Sequence, residues 1–459
     1  MKLDFLSVVD EKKDLLTGIA DRLWDNPETA FAETYATKLL CDTLRAEGFT
    51  VQENLADIPT AFSGTFGKGH PVIGFLGEYD ALSGLDQVAG VTAQEGISGK
   101  DGHGCGHHLL GVGSLGAAIA AKRYLEETGK EGTVIYFGCP GEEGGSGKAF
   151  MARDGVFDGL DAALSWHPDD VNVVYTRTSL ANCQVLYKFD GIAAHAATGP
   201  HRGRSALDAV ELMNVGVNFL REHMTSDCRV HYAITDAGGF SPNVVQPHAE
   251  VLYLIRSSDA AALAKLSARV DKIAEGAALM TETKMTKDFV KACSSTVLNH
   301  NLQQILYEKM LAIGAPEITA EDRDFAARLS REGMAELANV DPEDPIHDGI
   351  KSYQGQVTPN MGSTDVGDVS WVCPTAQILV ANFAKGTPAH SWQIVTQGKL
   401  PLAHKGMLFA AKVLGATAAE LFADPSKLEA IQAEHKERTG GSYLCPIPAG
   451  VRPRAPKDL

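Results

Sequence analysis

Apolar residues recur at helical spacing in two opening segments. Leu15, Leu16, Ile19 and Leu23 fall on one face of residues 11–24, ahead of Asn26-Pro27, and Ala36, Leu39, Leu40 and Leu44 on one face of 35–47, ahead of Gly48. Beyond a turn at Gly67 to Pro71 the pattern changes to short continuous apolar runs. VIGFL (72–76), TVIYFG (133–138) and DAALSWHP (161–168) predict buried strands, and Gly106 to Tyr124 predicts a helix between the first two. Strands alternating with helices imply a largely parallel sheet covered by helices.

From about residue 180 the rhythm is different. NCQVLYKFDG, CRVHYAITD, EVLYLIRS and part of 284–298 read as strands, with helices over 203–223 and 259–280. The order strand-helix-strand-strand-helix-strand is ferredoxin-like. Helices near 300–313 and 320–337, a strand at AQILVANF (376–383) and a helix over 403–423 then resume the first pattern. The predicted fold class is therefore α/β: a helix-covered, mixed, largely parallel sheet built from 1–182 and 299–459, interrupted by an inserted ferredoxin-like α+β domain over 183–298. The tail after Gly440 holds four prolines and is predicted to lie along the surface.

Composition narrows the function classes. A net charge of -17 and no Lys/Arg run exclude a phosphate backbone as the expected partner, because nucleic-acid binders concentrate basic residues on one face. The N-terminal apolar stretch, Phe5 to Val9, is bounded by Asp4 and Asp10 and is too short for a signal h-region. Leu109 to Ala121 falls short of the roughly 20 residues a membrane span needs. Eight scattered cysteines without a CxxC pair suit a reducing compartment. The expectation is a cytoplasmic protein with neither a membrane nor a nucleic-acid partner. Seven of the cysteines read as small hydrophobes, and Cys105 stands apart.

Cys105 lies in DGHGCGHHLLG (101–111), a Gly-rich loop that opens a helix. Side chains two apart in extended backbone project the same way, so Cys105 and His107 can reach one metal ion, and a helix N-terminus with a cation would favour the thiolate. CPGEEGGSG (139–147) directly follows a predicted strand, the edge where open α/β sheets place their ligands. Adjacent carboxylates in a loop point apart. One of Glu142 and Glu143 is thus able to bind a metal while the other faces a bound water. His167 ends a strand in SWHP and His390 follows another in GTPAHSW. Each residue alone is more often structural; together they place zinc-type ligands at successive edges of one sheet.

The ordered motifs GEYDAL, GHGCGHHLLG, PGEEGGSG, SWHP, DGIAAHAA with PHRGRSALDA, NVVQPHAEV and GTPAHSW resemble the aminoacylase and carboxypeptidase G family of dinuclear metallohydrolases. The likeness is strongest to the branch that hydrolyses aminobenzoyl-glutamate and auxin conjugates, and it runs from residue 15 to about 420. Much of the family opens its metal set with His-x-Asp, where this chain has Glu78-Tyr79-Asp80. The resemblance implies a metal-binding catalytic domain with an inserted lid and dimerisation domain. It implies two divalent ions, zinc or manganese, held by Cys105, His107, Glu143, His167 and His390. Glu142 would be general base and acid, and Asp80 would orient a ligand from behind it. His103 and His108 are the alternative ligands, although His108 should point away from His107.

By the same resemblance, His195 would stabilise an oxyanion in a partner protomer's site, while Asn243 and Arg256 would bind substrate polar groups. Arg202 and Arg204 would serve an acidic side chain, and Ser363, Thr364 and Asp365 would form a pocket loop. The implied activity is hydrolysis of an N-acyl amino acid, with p-aminobenzoyl-glutamate the leading candidate, by a homodimer, with or without a related subunit. Three alternatives stand beside it: a dipeptidase or carboxypeptidase of the same family, a metal-free cysteine amidase using Cys105, and a non-catalytic subunit of a hetero-oligomeric amidohydrolase.

Overall fold

The structure, a computed structural model, describes residues 3–337 and 340–455. Its strands are β1 (Thr50–Glu53), β2 (Phe62–Lys68), β3 (Val72–Gly77), β4 (Gly132–Gly138), β5 (Ala162–Asp169), β6 (Val173–Val174), β7 (Ala181–Asp190), β8 (Arg229–Asp236), β9 (His248–Ser257), β10 (Lys284–Cys293) and β11 (Thr375–Ala381). Seven of them form one sheet in the order β1-β2-β4-β3-β5-β11-β6. Its centre, β4-β3-β5-β11, is parallel, and β2, β1 and β6 add antiparallel edges. The central strands are apolar throughout because helices cover both faces, which is why they read in the sequence as runs and not as alternation.

Helix His107–Thr128 lies under this sheet and packs against helix Pro401–Ala423. Each is Gly- and Ala-rich, so the two backbones approach closely. Pro401–Ala423 is long and apolar enough to cross a membrane, but 83% of its most apolar stretch is buried, and it serves here as a core helix. Gly113 marks the tightest contact with the sheet. A methyl group there would stand 2.6 Å from the fully buried indole of Trp166, whose Nε1 donates to the Leu110 carbonyl at 3.0 Å.

The second sheet is antiparallel in the order β10-β7-β9-β8, the ferredoxin-like arrangement anticipated from the sequence, with helices Ala206–Leu220 and Ala260–Thr281 against one face. The strand pairing of β7 with β9 runs in unbroken register from Ala181↔Ser257 to Asp190↔His248.

Several elements escaped the periodicity. Strands β1 and β2, the helices Gly147–Arg153, Val366–Val372 and Trp392–Gln397, and helix Ser426–Thr439 were not anticipated. Three of these helices span only six or seven residues, and Ser426–Thr439 is strongly polar, burying little beyond Leu428 and Ile431, so none carries a clear apolar stripe. The helix expected over 320–337 stops at Glu332, because Gly333 lies against Trp392 and the Thr92 carbonyl, each 2.8 Å from where a Cβ would sit.

The close approach at Gly113 yields a test. Alanine normally favours a helix interior by about 1 kcal/mol over glycine, yet Gly113→Ala is expected to destabilise the protein by about 1–3 kcal/mol through overpacking. Urea denaturation checks the sign.

Candidate metal centre

The C-terminal edges of β3, β4, β5 and β11 bring four loops together. Each contributes one part of a cluster.

Glu78, Tyr79 and Asp80 follow β3, and all three are buried. Asp80 uses both oxygens: Oδ1 accepts from His107 Nδ1 at 2.9 Å and Oδ2 from the Glu143 backbone N–H at 2.7 Å. His107 is the first residue of its helix, after Gly106 in a left-handed conformation (φ 81°). With Nδ1 donating to Asp80, the nitrogen aimed into the cluster, 3.3 Å from Glu78 Oε2, is Nε2. No described group hydrogen-bonds that buried atom.

His167 repeats the device at the end of β5. Its Nδ1 donates to the Pro168 carbonyl at 2.8 Å, which turns Nε2 towards Cys105 Sγ at 3.4 Å. The loop after β4 supplies Glu142 and Glu143. It turns so tightly that a side chain at Gly147 would sit 1.9 Å from the Pro140 carbonyl oxygen, and the buried Glu33 carboxylate anchors it by accepting from Gly141 N at 2.9 Å. His390, after β11, adopts φ 53° and brings Nε2 to 3.0 Å from Glu143 Oε1. A non-glycine residue in that conformation costs on the order of 1–3 kcal/mol and persists where the surroundings enforce it.

Cys105, His107 and His167 present ligand atoms within 4.8 Å of one another; so do Cys105, Glu143 and His390, and so do Glu78, His107 and Glu142. All five sequence-predicted ligands are therefore brought together, with Cys105 common to two groups. Glu142 and Glu143 fall in different groups, as adjacent loop carboxylates should. The donor set fits a divalent cation: two imidazole nitrogens are aimed by hydrogen bonds on their far sides, and the buried His107 Nε2 has no aligned hydrogen-bond partner among the described residues, only carboxylate and thiol donors around it.

Electrostatics sharpen the picture. Burial, and then the charges of Glu78, Glu143 and Asp365, push Glu142 well above the usual carboxylate range. Glu143 goes the other way. Burial opposes its charge, but His390 and His107 outweigh that and hold it at about 2. Burial and the Glu143 charge push the Cys105 thiol up. Without a cation beside it, that thiol is a poor nucleophile.

The alternative ligands are structural. His103 contacts the Leu23 carbonyl at 3.2 Å and His108 the Gly398 carbonyl at 3.0 Å, both directed away from the cluster. Ser363 and Thr364 line the cavity of about 290 Å³ that opens onto the cluster, whereas Asp365 turns inward. Arg256 stands behind Ser363, donating to its Oγ at 2.6 Å. His195, Asn243 and Arg202 are exposed, and Arg204 pairs with Glu282 at 2.8 Å; none of the four lines the cavity.

Sequence reasoning missed Lys148. Fully buried, it lies 2.7 Å from Glu78 Oε1 and 2.6 Å from Asp365 Oδ1. Burial works against its charge, but Asp365 and Glu78 more than restore it. The available signal was a lysine inside the apolar run Lys148-Ala149-Phe150-Met151, a place where a charge needs partners. Arg177 and Tyr175 on the cavity wall were missed too.

The profile of Peptidase family M20/M25/M40 matches residues 74–393. The chain is 48% identical to one of the subunits of the p-aminobenzoyl-glutamate hydrolase of Escherichia coli (strain K12), with 97% of each chain covered. The crystal structure of an aminobenzoyl-glutamate utilization protein from Klebsiella pneumoniae superposes with a TM-score of 0.64 at 18% identity, covering 92% of this chain and 98% of that one. A Bacillus subtilis protein described as a dinuclear metal binding peptidase of the M20 family superposes with a TM-score of 0.57 at 15% identity, covering 90% of this chain and 99% of that one.

Removing one partner of a buried ion pair strands the other. Lys148→Met is expected to lower stability by about 3–5 kcal/mol, since Glu78 and Asp365 would face each other uncompensated. A denaturant titration at neutral pH measures it, and an unchanged midpoint would refute the assignment.

Proposed function

Since the chain belongs to the M20/M25/M40 peptidase family, we propose that it is a metal-dependent amidohydrolase that cleaves the amide bond of an N-acyl-glutamate, p-aminobenzoyl-glutamate being the leading candidate. The observation that carries the reading is the convergence of Cys105, His107, Glu143, His167 and His390 beside Glu142 at the floor of one cavity.

The five side chains are assigned as ligands of two divalent ions. Two donor groups sharing Cys105 support that number. The thiolate favours zinc, and the imidazole and carboxylate donors also suit manganese. When bound, such ions lower the pKa of water from 15.7 towards about 7 and polarise a carbonyl oxygen. Glu142 takes the proton from the attacking water and passes it to the leaving amine nitrogen; a carboxyl already raised by burial suits both transfers. Asp80 keeps His107 in the tautomer that presents Nε2 and fixes the backbone of Glu143. Chemistry that depends on Cys105 as a metal-free nucleophile is disfavoured by its raised thiol.

His195 is assigned to oxyanion stabilisation and Arg202 and Arg204 to an acidic side chain, all three at a second chain's site because none lines this chain's own cavity; Asn243 and Arg256 are assigned to substrate polar groups, and Ser363 and Thr364 to the pocket loop, with Asp365 turned inward beneath them. His195 and Asn243 are exposed on adjoining segments bridged at His195↔Val244. That arrangement supports service to a second chain's site. We read 183–298 as the lid and dimerisation domain and the remainder as the catalytic domain. The outer strand of 183–298, β8, is an exposed edge carrying Tyr232 and Ile234, and Phe219 and Leu279 are exposed on the two helices of the same segment. An edge of that kind pairs readily with another chain. A homodimer is the simplest assembly, and the relative that is itself one subunit of a hydrolase supports a related second chain as the alternative partner. Eight free cysteines support a reducing, cytoplasmic compartment.

Two measurements test the reading. Purified protein should carry stoichiometric zinc or manganese by elemental analysis, lose hydrolysis of p-aminobenzoyl-glutamate on chelation and regain it when the metal returns; full activity after exhaustive chelation sinks the proposal. Glu142→Gln should retain the metal and lose activity by about 10²–10⁴-fold, the usual contribution of general acid-base catalysis, while Asp80→Ala should weaken metal binding by about 10–100-fold.

A further inference from the structure

The cavity above the cluster is lined by five carboxylates, Glu78, Glu142, Glu143, Asp169 and Asp170. Arg177, exposed at the cavity's edge, is the only lysine or arginine lining it among the described residues. Its guanidinium forms neither an ion pair nor a side-chain hydrogen bond with any described group, whereas ion pairs engage many of the basic residues elsewhere in the chain. The backbone that carries it is held firmly. Tyr175 N donates to the Gln377 carbonyl, Thr358 N to the Thr176 carbonyl and Thr178 N to the Thr358 carbonyl, each at 2.9 Å. This segment thus extends the edge of the main sheet beyond β6 and fixes the base of the Arg177 side chain.

A guanidinium offers five N–H donors in a planar fork that matches a carboxylate. Set on a rigid segment at the exposed rim of the cavity and left unpaired, it is placed to meet an anion entering the site. The other arginines considered for that task are engaged or stand off this cavity: Arg256 is bonded to Ser363, Arg204 to Glu282, and Arg202 does not line it.

We propose that Arg177 binds a carboxylate on the amino-acid half of the substrate and so selects acyl-glutamates over their amides. This rests on the amidohydrolase reading above. The substrate has two such groups, the α-carboxylate beside the scissile nitrogen and the side-chain carboxylate, and either presents the same chemistry to the guanidinium.

The test uses the full-length, metal-loaded protein with p-aminobenzoyl-glutamate and its two monoamides, one amidated on the side chain and one at the α position. The wild-type preference for the diacid over one of these amides, read as kcat/KM, is expected to fall by about 10–100-fold in Arg177→Met, the usual worth of a charged hydrogen bond. The larger share should appear in KM, and Arg177→Lys should restore part of it. The amide whose discrimination disappears identifies the carboxylate. Calorimetric binding of the same three ligands to Glu142→Gln, with and without Arg177→Met, reads the contact without turnover. The proposal is overturned if Arg177→Met keeps the wild-type ratios for both amides, or if it weakens the diacid and both amides equally, the mark of a guanidinium that only balances the cavity's charge. Wild-type protein that hydrolyses none of the three refutes the parent reading instead, and the calorimetric arm still decides whether Arg177 holds a carboxylate.

Discussion

The site depends on one buried carboxylate. Asp80 holds the imidazole of His107 with one oxygen and the backbone of Glu143 with the other, and so couples the start of a helix to the loop after a neighbouring strand. If Asp80 shifted, Nε2 of His107 and the carboxylate of Glu143 would lose their common aim, and a donor set gathered from distant parts of the chain would no longer enclose a volume suited to a cation.

That anchoring matters because the cluster is electrostatically expensive. Glu33, Glu78, Asp80, Glu142, Glu143 and Asp365 all lie close together at the same edge of the sheet, mostly out of solvent. In a low dielectric, like charges at such separations cannot all persist unless cations accompany them. The protein answers this in two ways. Lys148 sits permanently between Glu78 and Asp365 on the inner side, and the donor atoms turned towards the cavity are left for metal ions. Glu142 lies between the two regimes, its carboxyl pushed well above the usual range by burial and by the neighbouring carboxylates.

Substrate contacts are distributed differently from the chemistry. The cavity floor belongs to loops of the parallel sheet, which is rigid because its central strands are hydrogen-bonded on both sides. Arg177 and the Ser363–Thr364 loop lie on its wall. His195 and Asn243 lie outside the cavity, exposed on two loops of the inserted segment joined by the bridge His195↔Val244. The positions proposed to hold metal are thus on the sheet, and those proposed to contact substrate are on its periphery.

The amino-acid sequence determined the alternation of strands and helices, the ferredoxin-like order of 183–298, and the residue types capable of binding a metal, because these follow from local periodicity and side-chain chemistry. It also told Glu142 from Glu143 only in principle: adjacent carboxylates diverge, but which one meets Cys105 and His390 is a property of the folded loop. Lys148, Arg177 and the pairing of Asp80 with two partners were not legible. Lys148 is far along the chain from Glu78 and 217 residues from Asp365, and no local pattern links such positions. The short helices and the edge strands β1 and β2 were likewise decided by long-range packing, since segments of that length have too few turns or alternations to declare a period. Chemistry was written in the residues; the distances that turn those residues into a site exist only once the strands lie side by side.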